Sequence, residues 1–296
     1  MNKTLAAACI GNSYGFSVHW IYDPKYIQEL IQREDVLFKA PQKRHYDEAK
    51  SAYFGYPHGK AGDITGQGMF LVWLTEALSK NPDLSVDDYR RLLLSHIAPG
   101  GDYIGYVESY AKKMIVNDVA LSMGKDVVFE MDDEHLVGFV PYLATKALNL
   151  PVDKAKALVE LFSNKTEYAQ LFDLFDALLE GITSENKARK LRQVIDRAPL
   201  TYQAKLEAAL SDKEDRVFLK EEAGIACVIP QSIPLIFRLL DRAQTYEEAM
   251  RLNMTYGGAI SERAMLLGYC FAQFSEIPPL WINHLSPEIK SIIQAL

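Results

Sequence analysis

Two glycine-rich segments contain the residue types best suited to hold a metal ion or a phosphate. The first spans residues 61–69 and includes Asp63 and Thr65, and the second spans residues 256–263 and includes Glu262. Each precedes an apolar segment with helical spacing, so each is expected at the start of a helix, where backbone N–H groups favour an anion. A hard cation would need several carboxylate oxygens, and both segments are poor in them.

Each segment has a chemical and a structural interpretation. Asp63 and Thr65 are candidate oxygen donors to magnesium, or they cap the free N–H groups of a helix start. Glu262 either supplies a carboxylate to a metal site or complements the helix macrodipole, while Arg263 holds a phosphate or pairs with a carboxylate. Asp63 and Glu262 are therefore the candidate catalytic residues, since a positioned carboxylate can act as general base on water.

Aromatic and acidic residues near the N-terminus and the middle of the chain add further candidates. Asp23, just before a proline, is expected to begin a helix, whereas His19 either lines a pocket or packs in the core. Residues 102–108 place two carboxylates six positions apart around a glycine, and residues 131–135 form an acidic cluster. Such clusters bind metal, share a proton, or cap a helix in contact with solvent.

Composition excludes several classes of protein. Hydrophobic residues make up 49% of the 296 residues and charged residues 24%, as in globular proteins. The net charge of −7 and the lack of basic runs argue against a nucleic-acid partner. Without a signal peptide or a run of ~20 apolar residues, we expect a cytoplasmic protein with no membrane partner. The motifs of P-loop, dinucleotide-binding, serine-hydrolase and zincin enzymes are missing.

The segments that must position these residues are predicted to be helices. Apolar residues recur at helical spacing, and alternating strand patterns are scarce. The sequence predicts an all-α fold, with residues 1–296 as a single orthogonally packed multi-helix domain; a joint near residues 183–200 is the alternative. The expected helical segments are residues 69–78, 92–97 (after Ser85 as a cap), 136–148, 154–162, 168–179, 186–195, 204–210, 232–240, 246–254 and 263–274.

Considered together and in order, these segments resemble the ADP-ribosylglycohydrolase family. The resemblance is closer to a bacterial branch with an AHWIYD-like segment near the N-terminus, and it spans nearly the whole chain. The matching pieces are residues 11–15, 19–23, 58–65, 103–108, 132–133, 257–263, 265–268, 277–278 and Trp281.

The resemblance implies an all-helical fold and hydrolysis of ADP-ribosyl N- or O-glycosidic bonds. It also implies two magnesium ions, held by a TDDT-like and a GGDTD-like motif, which orient ADP-ribose and the attacking water. The expected partner is a small molecule such as ADP-ribose or a nucleotide. The ligand-binding residues implied by the match are His19, Asp23, Asp63, Thr65, Gly105, Tyr106, Gly257, Gly258 and Arg263.

This chain departs from the family at the metal ligands. Neutral residues replace the implied acids at Asn12, Gly66, Gln67, Met69, Ala259 and Ser261. Neutral groups cannot replace that charge, so a magnesium pair would lose most of its affinity and we expect no cofactor. Three hypotheses follow: an impaired or inactive family member that keeps its pocket, an active glycohydrolase with a rearranged carboxylate site, and a non-catalytic interaction protein.

Overall fold

The computed structural model describes residues 1–296 and consists of helices and connecting loops. Three isolated bridges are the only strand-like pairings, so the predicted all-α class is confirmed. The α-helices are α1 (Lys3–Tyr14), α2 (Pro24–Arg33), α3 (Lys43–Glu48), α4 (Gly66–Lys80), α5 (Val86–Ile97), α6 (Ser109–Ser122), α7 (Phe139–Ala147), α8 (Val152–Leu158), α9 (Glu167–Leu179), α10 (Lys187–Val194), α11 (Leu200–Ala209), α12 (Asp215–Phe218), α13 (Ile229–Arg242), α14 (Tyr246–Tyr256), α15 (Ile260–Ala272) and α16 (Pro287–Ala295).

Several helix starts follow directly from local sequence. Asp23 accepts the backbone N–H of Tyr26 at the start of α2. Thr65 caps α4, and Ser85 caps α5 in a reciprocal box with Asp88. Each cap provides an oxygen to an N–H group that has no acceptor inside its own helix. The predicted caps at Asp23 and Ser85 are confirmed, and of the two candidates at the start of α4 it is Thr65, not Asp63, that caps the helix.

Four helices lack the signals that the prediction used. Helix α1 is buried on all sides from Leu5 to Tyr14, so it shows no polar face. Helix α6 buries Tyr110 and Met114 but exposes apolar residues elsewhere, which obscures its periodicity. Helices α3 and α16 are short, with six and nine residues. Periodicity detects amphipathic helices, and α1 and α6 show no clear apolar stripe. Helix α16 does bury Ile289 and Ile293 on one face, but over a segment of only nine residues.

Helices α1 and α15 form the centre of the molecule and pack closely against each other. Glycines allow the close approach: a Cβ atom at Gly11 would lie 2.6 Å from the carbonyl oxygen of Ala264, and one at Gly268 would lie 2.7 Å from that of Ala7. Every residue of α15 is buried, and its apolar residues belong to a hydrophobic core cluster of 84 residues. The polar residues of the candidate site lie where these helices meet the start of α4.

None of the helices combines the length and the apolar character that crossing a membrane requires.

Candidate binding cleft and the polar cluster behind it

An open cleft of about 490 Å³ lies beside the start of α4. Its volume falls within the range of small-molecule sites, which is roughly 300–1,000 Å³. Aromatic side chains form much of the wall, and charged groups of both signs are placed around it. The aromatic residues are Phe16, Tyr56, Trp73, Tyr103 and Tyr106, and the charged or titratable ones are His58, Lys60, Asp63, Asp102, Lys112 and Glu288.

The first glycine segment binds its own neighbours at the start of α4. The backbone N–H of Thr65 donates to Oδ1 of Asn12 (2.8 Å), and Nδ2 of Asn12 donates back to Oγ1 of Thr65 (2.9 Å). The N–H of Gly66 donates to the hydroxyl of Tyr56 (3.0 Å). Both members of the Asn12–Thr65 pair are fully buried. Internal groups therefore take the hydrogen bonds that a bound ligand would otherwise make here.

The second glycine segment is a tight connection between α14 and α15. Gly257 and Gly258 both have positive φ, 78° and 69°. The guanidinium of Arg263 supports this turn by donating to Oδ1 of Asn253 (2.6 Å) and to the carbonyl of Gly257 (2.8 Å), while Nη1 has no partner. Burial lowers the pKa of Arg263 to about 10. Its contacts fix the end of one helix relative to the start of the next.

His19 connects this turn to the N-terminal region. Its Nδ1 accepts the backbone N–H of Ser261 (3.2 Å), so the proton of the neutral ring lies on Nε2. Nε2 lies 3.7 Å from Oε1 of Glu262. Burial, reinforced by the charge of Arg263, lowers the pKa of His19 well below its usual value. A neutral imidazole thus presents an N–H group toward a buried carboxyl group.

The overall arrangement of the chain matches a solved structure that identifies the fold. A solved structure described as an ADP-ribosylglycohydrolase-related protein complex aligns over 99% of this chain and 96% of its own chain, with a TM-score of 0.62. The chain therefore has an ADP-ribosylglycohydrolase-like fold. Sequence identity is 14%, so the similarity establishes the fold alone. No protein-family model matches the sequence, and no curated protein is found to be similar.

The structure separates the predicted site residues into three groups. Asp63, Met69, Gly105 and Tyr106 line the open cleft. Asp23 caps α2 and does not line the cleft. The others are buried away from the cleft surface: Asn12, His19, Thr65, Gly66, Gln67, Gly257, Gly258, Ala259, Ser261, Glu262 and Arg263.

An aromatic layer separates the cleft from this buried group. Tyr56 lines the cleft, and its ring lies 6.3 Å from that of His19. Trp20 stacks on Tyr56 at 5.5 Å and adopts a φ of 65°, which is rare for a bulky residue. A backbone in this region costs energy, and such strain often occurs at functional sites.

Two buried carboxyl groups meet behind the aromatic layer, a pairing that the sequence did not reveal. Glu108 accepts the hydroxyl of Tyr110 (2.7 Å) and is a neighbour of Glu262. Burial, together with the charge of Glu262, raises the pKa of Glu108 well above its usual value. Burial also raises the pKa of Glu262 to about 7. Both shifts have the same cause and direction, since burial favours the uncharged form of each carboxyl group.

His135 lies at the outer side of this carboxyl pair. Its Nδ1 contacts both oxygens of Asp133 (2.9 and 3.0 Å). Burial lowers the pKa of His135, but the bond to Asp133 and the nearby carboxylates outweigh it, so the net pKa is raised. We call Glu108, Glu262, His19, His135 and Tyr110 the inner carboxyl cluster. Only adjacency in space could have identified it, because its members come from four separate parts of the sequence.

The residues present do not fit a pair of magnesium ions. No group of three or more His, Cys, Asp or Glu side chains is arranged to hold a metal ion. The amide of Asn12 is committed to Thr65, and Gln67 and Ser261 are neutral. Gly66, Met69 and Ala259 have no oxygen donor in their side chains. Magnesium requires hard, preferably anionic, oxygen ligands in octahedral geometry.

Replacing Thr65 with valine is expected to destabilise the protein by about 2 kcal/mol, because α4 loses its cap and Nδ2 of Asn12 loses its acceptor. Urea denaturation measures this change. Thr75→Val is the matched control: Thr75 is equally buried and lies within α4, but its hydroxyl only donates to the carbonyl of Leu71. Equal losses in the two variants would show that the Asn12–Thr65 pair has no special role.

Proposed function

We propose that this protein binds ADP-ribose or a related nucleotide in the open cleft without a magnesium pair, and that metal-dependent hydrolysis of ADP-ribosyl N- or O-glycosidic bonds is impaired or lost. The proposal combines the ADP-ribosylglycohydrolase-like fold with the donor atoms that this chain presents. The observation that supports it most is the neutral, mutually hydrogen-bonded pair of Asn12 and Thr65 at the start of α4.

The cleft provides the groups that a nucleotide requires. The rings of Trp73, Tyr103 and Tyr106 offer flat apolar surfaces for a base. Lys60 and Lys112 provide positive charge for phosphate oxygens, and the ammonium group of Lys112 lies 4.7 Å from the centre of the Tyr106 ring. A base and a diphosphate could therefore bind side by side.

The neutral replacements favour binding over metal-dependent catalysis. Two divalent ions need carboxylate charge to offset the loss of their hydration shells. Here the buried carboxyl groups near the start of α15 are Glu108, Glu262 and Asp133. Burial raises the pKa of Glu108 and of Glu262, which weakens both as anionic ligands.

Isothermal titration of ADP-ribose into the protein tests the proposal. We expect the affinity to agree within about twofold in magnesium and in EDTA, because no metal contributes to binding. We also expect no release of ADP-ribose from an ADP-ribosylated substrate on addition of magnesium. Binding of two magnesium ions with micromolar affinity would contradict the proposal.

A variant with restored acids provides the matching control. Ala259→Asp combined with Ser261→Asp and Gln67→Asp returns carboxylates to positions where the family resemblance implies them. We expect this variant to be destabilised without metal, because it buries uncompensated charges, and to recover stability when magnesium is added. The wild-type protein should show no such recovery.

One observation favours a second candidate, an active glycohydrolase that works without metal. Burial raises the pKa of Glu262 to about 7 and raises that of the neighbouring Glu108 well above its usual value, and such a pair is suited to a general base and a general acid. Turnover in EDTA that disappears in Glu262→Gln would favour this candidate. If Asp63→Ala alone abolished turnover, the base would be the carboxylate that lines the cleft.

A further inference from the structure

A large apolar patch covers the C-terminal half of α6 and the loop that follows it. Val116, Val119, Leu121 and Met123 are 41–62% exposed, and residues 127–129 are 40–59% exposed. Seven apolar residues at about half exposure present on the order of 600 Å² of surface, the upper end of what a monomer usually leaves uncovered. A patch of this size marks a contact with another molecule.

The loop is held against α6, so the patch is preformed. The buried side chain of Asn117 donates to the carbonyl of Phe129 (2.8 Å), and its Oδ1 accepts the backbone N–H groups of Val128 and Phe129 (2.9 Å each). The N–H of Lys125 donates to the carbonyl of Ala120 (3.0 Å), which turns the chain back along the helix. Because these bonds fix the backbone, little conformational entropy is lost when a partner covers the apolar side chains.

The exposed face of α6 has the spacing of a contact between two helices. Its stripe consists of Lys112, Val116, Val119 and Met123, which are separated by four, three and four positions and are all exposed. Apolar residues at this spacing form the seam of paired helices. On a helix that faces only solvent, the same stripe carries polar residues. A helix that packs along α6 is therefore the occupant that this face fits.

The charges around the stripe make it complementary to itself. Uncharged Val119 lies at the centre, Lys112 lies at the N-terminal end, and Asp126 and Glu130 lie in the loop at the other end. Lys125 is also at that end, which keeps a net negative charge. In a two-fold contact between antiparallel helices, each end meets the opposite end of the other copy and the central residue meets itself. The basic end of one copy then faces the acidic end of the other.

A lipid surface fits this face less well. Helices that lie on membranes are rich in lysine and arginine on their polar side. Here the remaining charged groups of α6 are already paired within the chain, Lys113 with Asp132 (3.1 Å) and Asp118 with Arg90 (2.7 Å). Charges of both signs therefore border the patch, as a contact between two identical surfaces requires.

We propose that the α6 patch is a homodimer contact, in which α6 of one copy packs antiparallel to α6 of a second copy about a two-fold axis at Val119. A standard interface buries roughly 800 Å² on each partner, and the apolar patch with its flanking charged residues provides an area of this size. Residue 112 of one copy lies opposite residue 126 of the other. Because Lys112 also lines the cleft, Asp126 of the second copy comes to the edge of each cleft. The contact does not depend on which ligand the cleft binds.

Sedimentation equilibrium of the full chain, from about 1 to 100 µM, measures this association. We expect the wild type to approach twice the 33.4 kDa mass of one chain, with a Kd of about 10 µM or below. Val119→Asp places two like charges on the axis and should raise the Kd at least about 100-fold, while circular dichroism shows an unchanged helix content. Leu200→Asp is the control, because Leu200 is 85% exposed and lies outside the patch.

Charge variants test the antiparallel geometry without touching the apolar centre. Lys112→Glu and Asp126→Lys should each raise the Kd about tenfold, because each change acts twice in a two-fold contact. The double variant exchanges the two charges and should return to within about threefold of the wild-type Kd. A wild type that stays monomeric at 100 µM, a dimer that Val119→Asp leaves intact, or a double variant without rescue would each overturn the proposal. Flotation of monomeric protein with phosphatidylcholine and phosphatidylglycerol vesicles would also overturn it and assign the patch to a lipid surface.

Discussion

Alanine at position 258 is expected to destabilise the protein by about 4 kcal/mol, enough to unfold a marginally stable chain. Gly258 has a φ of 69°, and a Cβ atom there would lie 2.0 Å from the carbonyl oxygen of Ile225. That neighbour is backbone and cannot rotate away. Gly258 also donates its N–H to the carbonyl of Ile21 (2.7 Å), and its own carbonyl accepts the N–H of Trp20 (2.8 Å). A shift of the Gly258 backbone would break both bonds.

Gly124 provides a matched control for this substitution. Its φ is 72°, nearly the same, but no atom lies within 4 Å of the position that a Cβ would occupy. Gly124→Ala should therefore cost only about 1 kcal/mol, the price of a left-handed backbone alone. Chemical denaturation of both variants measures the difference. Similar losses would mean that backbone strain, and not contact with Ile225, explains the glycine at position 258.

Glu262→Gln is expected to change how stability depends on pH, by about 3 kcal/mol between pH 5 and pH 8. Burial raises the pKa of Glu262 from an ordinary 4.5 to about 7, so the folded protein holds a proton that the unfolded chain has released in this range. Stability of the wild type therefore falls as pH rises from about 4.5 to above 7. Glutamine is uncharged throughout, and its amide cannot be ionised.

Denaturant unfolding at pH 5, 6, 7 and 8 tests this expectation. The variant should gain stability relative to wild type as pH rises, because the uncompensated carboxylate is absent. Part of the decline should persist in the variant, since Glu108 also has a raised pKa. The exposed control Glu160→Gln should follow the wild-type curve. Parallel curves for wild type and Glu262→Gln would mean that Glu262 titrates as it does in the unfolded chain.

Local sequence was sufficient for many of the helices and several of their starts. Thr65 and Ser85 were identified as caps because an oxygen two or three residues before a helical N–H forms the bond within a single turn. Amphipathic helices such as α9 and α14 were found because one face contacts the core and the other faces solvent. Helix α1 was missed for the opposite reason, since it is buried on every side.

The candidate site was only partly predictable. Glu262 was recognised as a first-turn acid and His19 as an aromatic neighbour, but nothing in the sequence indicated that two residues so far apart along the chain approach each other. Glu108 was one of two acids around a glycine, and its pairing with Glu262 depends on how α6 packs. Tyr56, which separates the cleft from these residues, has no sequence signal beyond its aromatic ring.

By itself, the sequence determined that the chain is helical, a property set by residue type and local spacing. That neutral residues stand where acids are expected at metal positions follows only from the family resemblance. Only the tertiary structure decided that Asn12 and Thr65 satisfy each other, that Tyr56 closes the start of α4, and that Glu108 and Glu262 share a buried environment. Those outcomes depend on the close packing of α1, α4 and α15, because hydrogen bonds and pKa shifts act over a few ångströms of space and not along the chain.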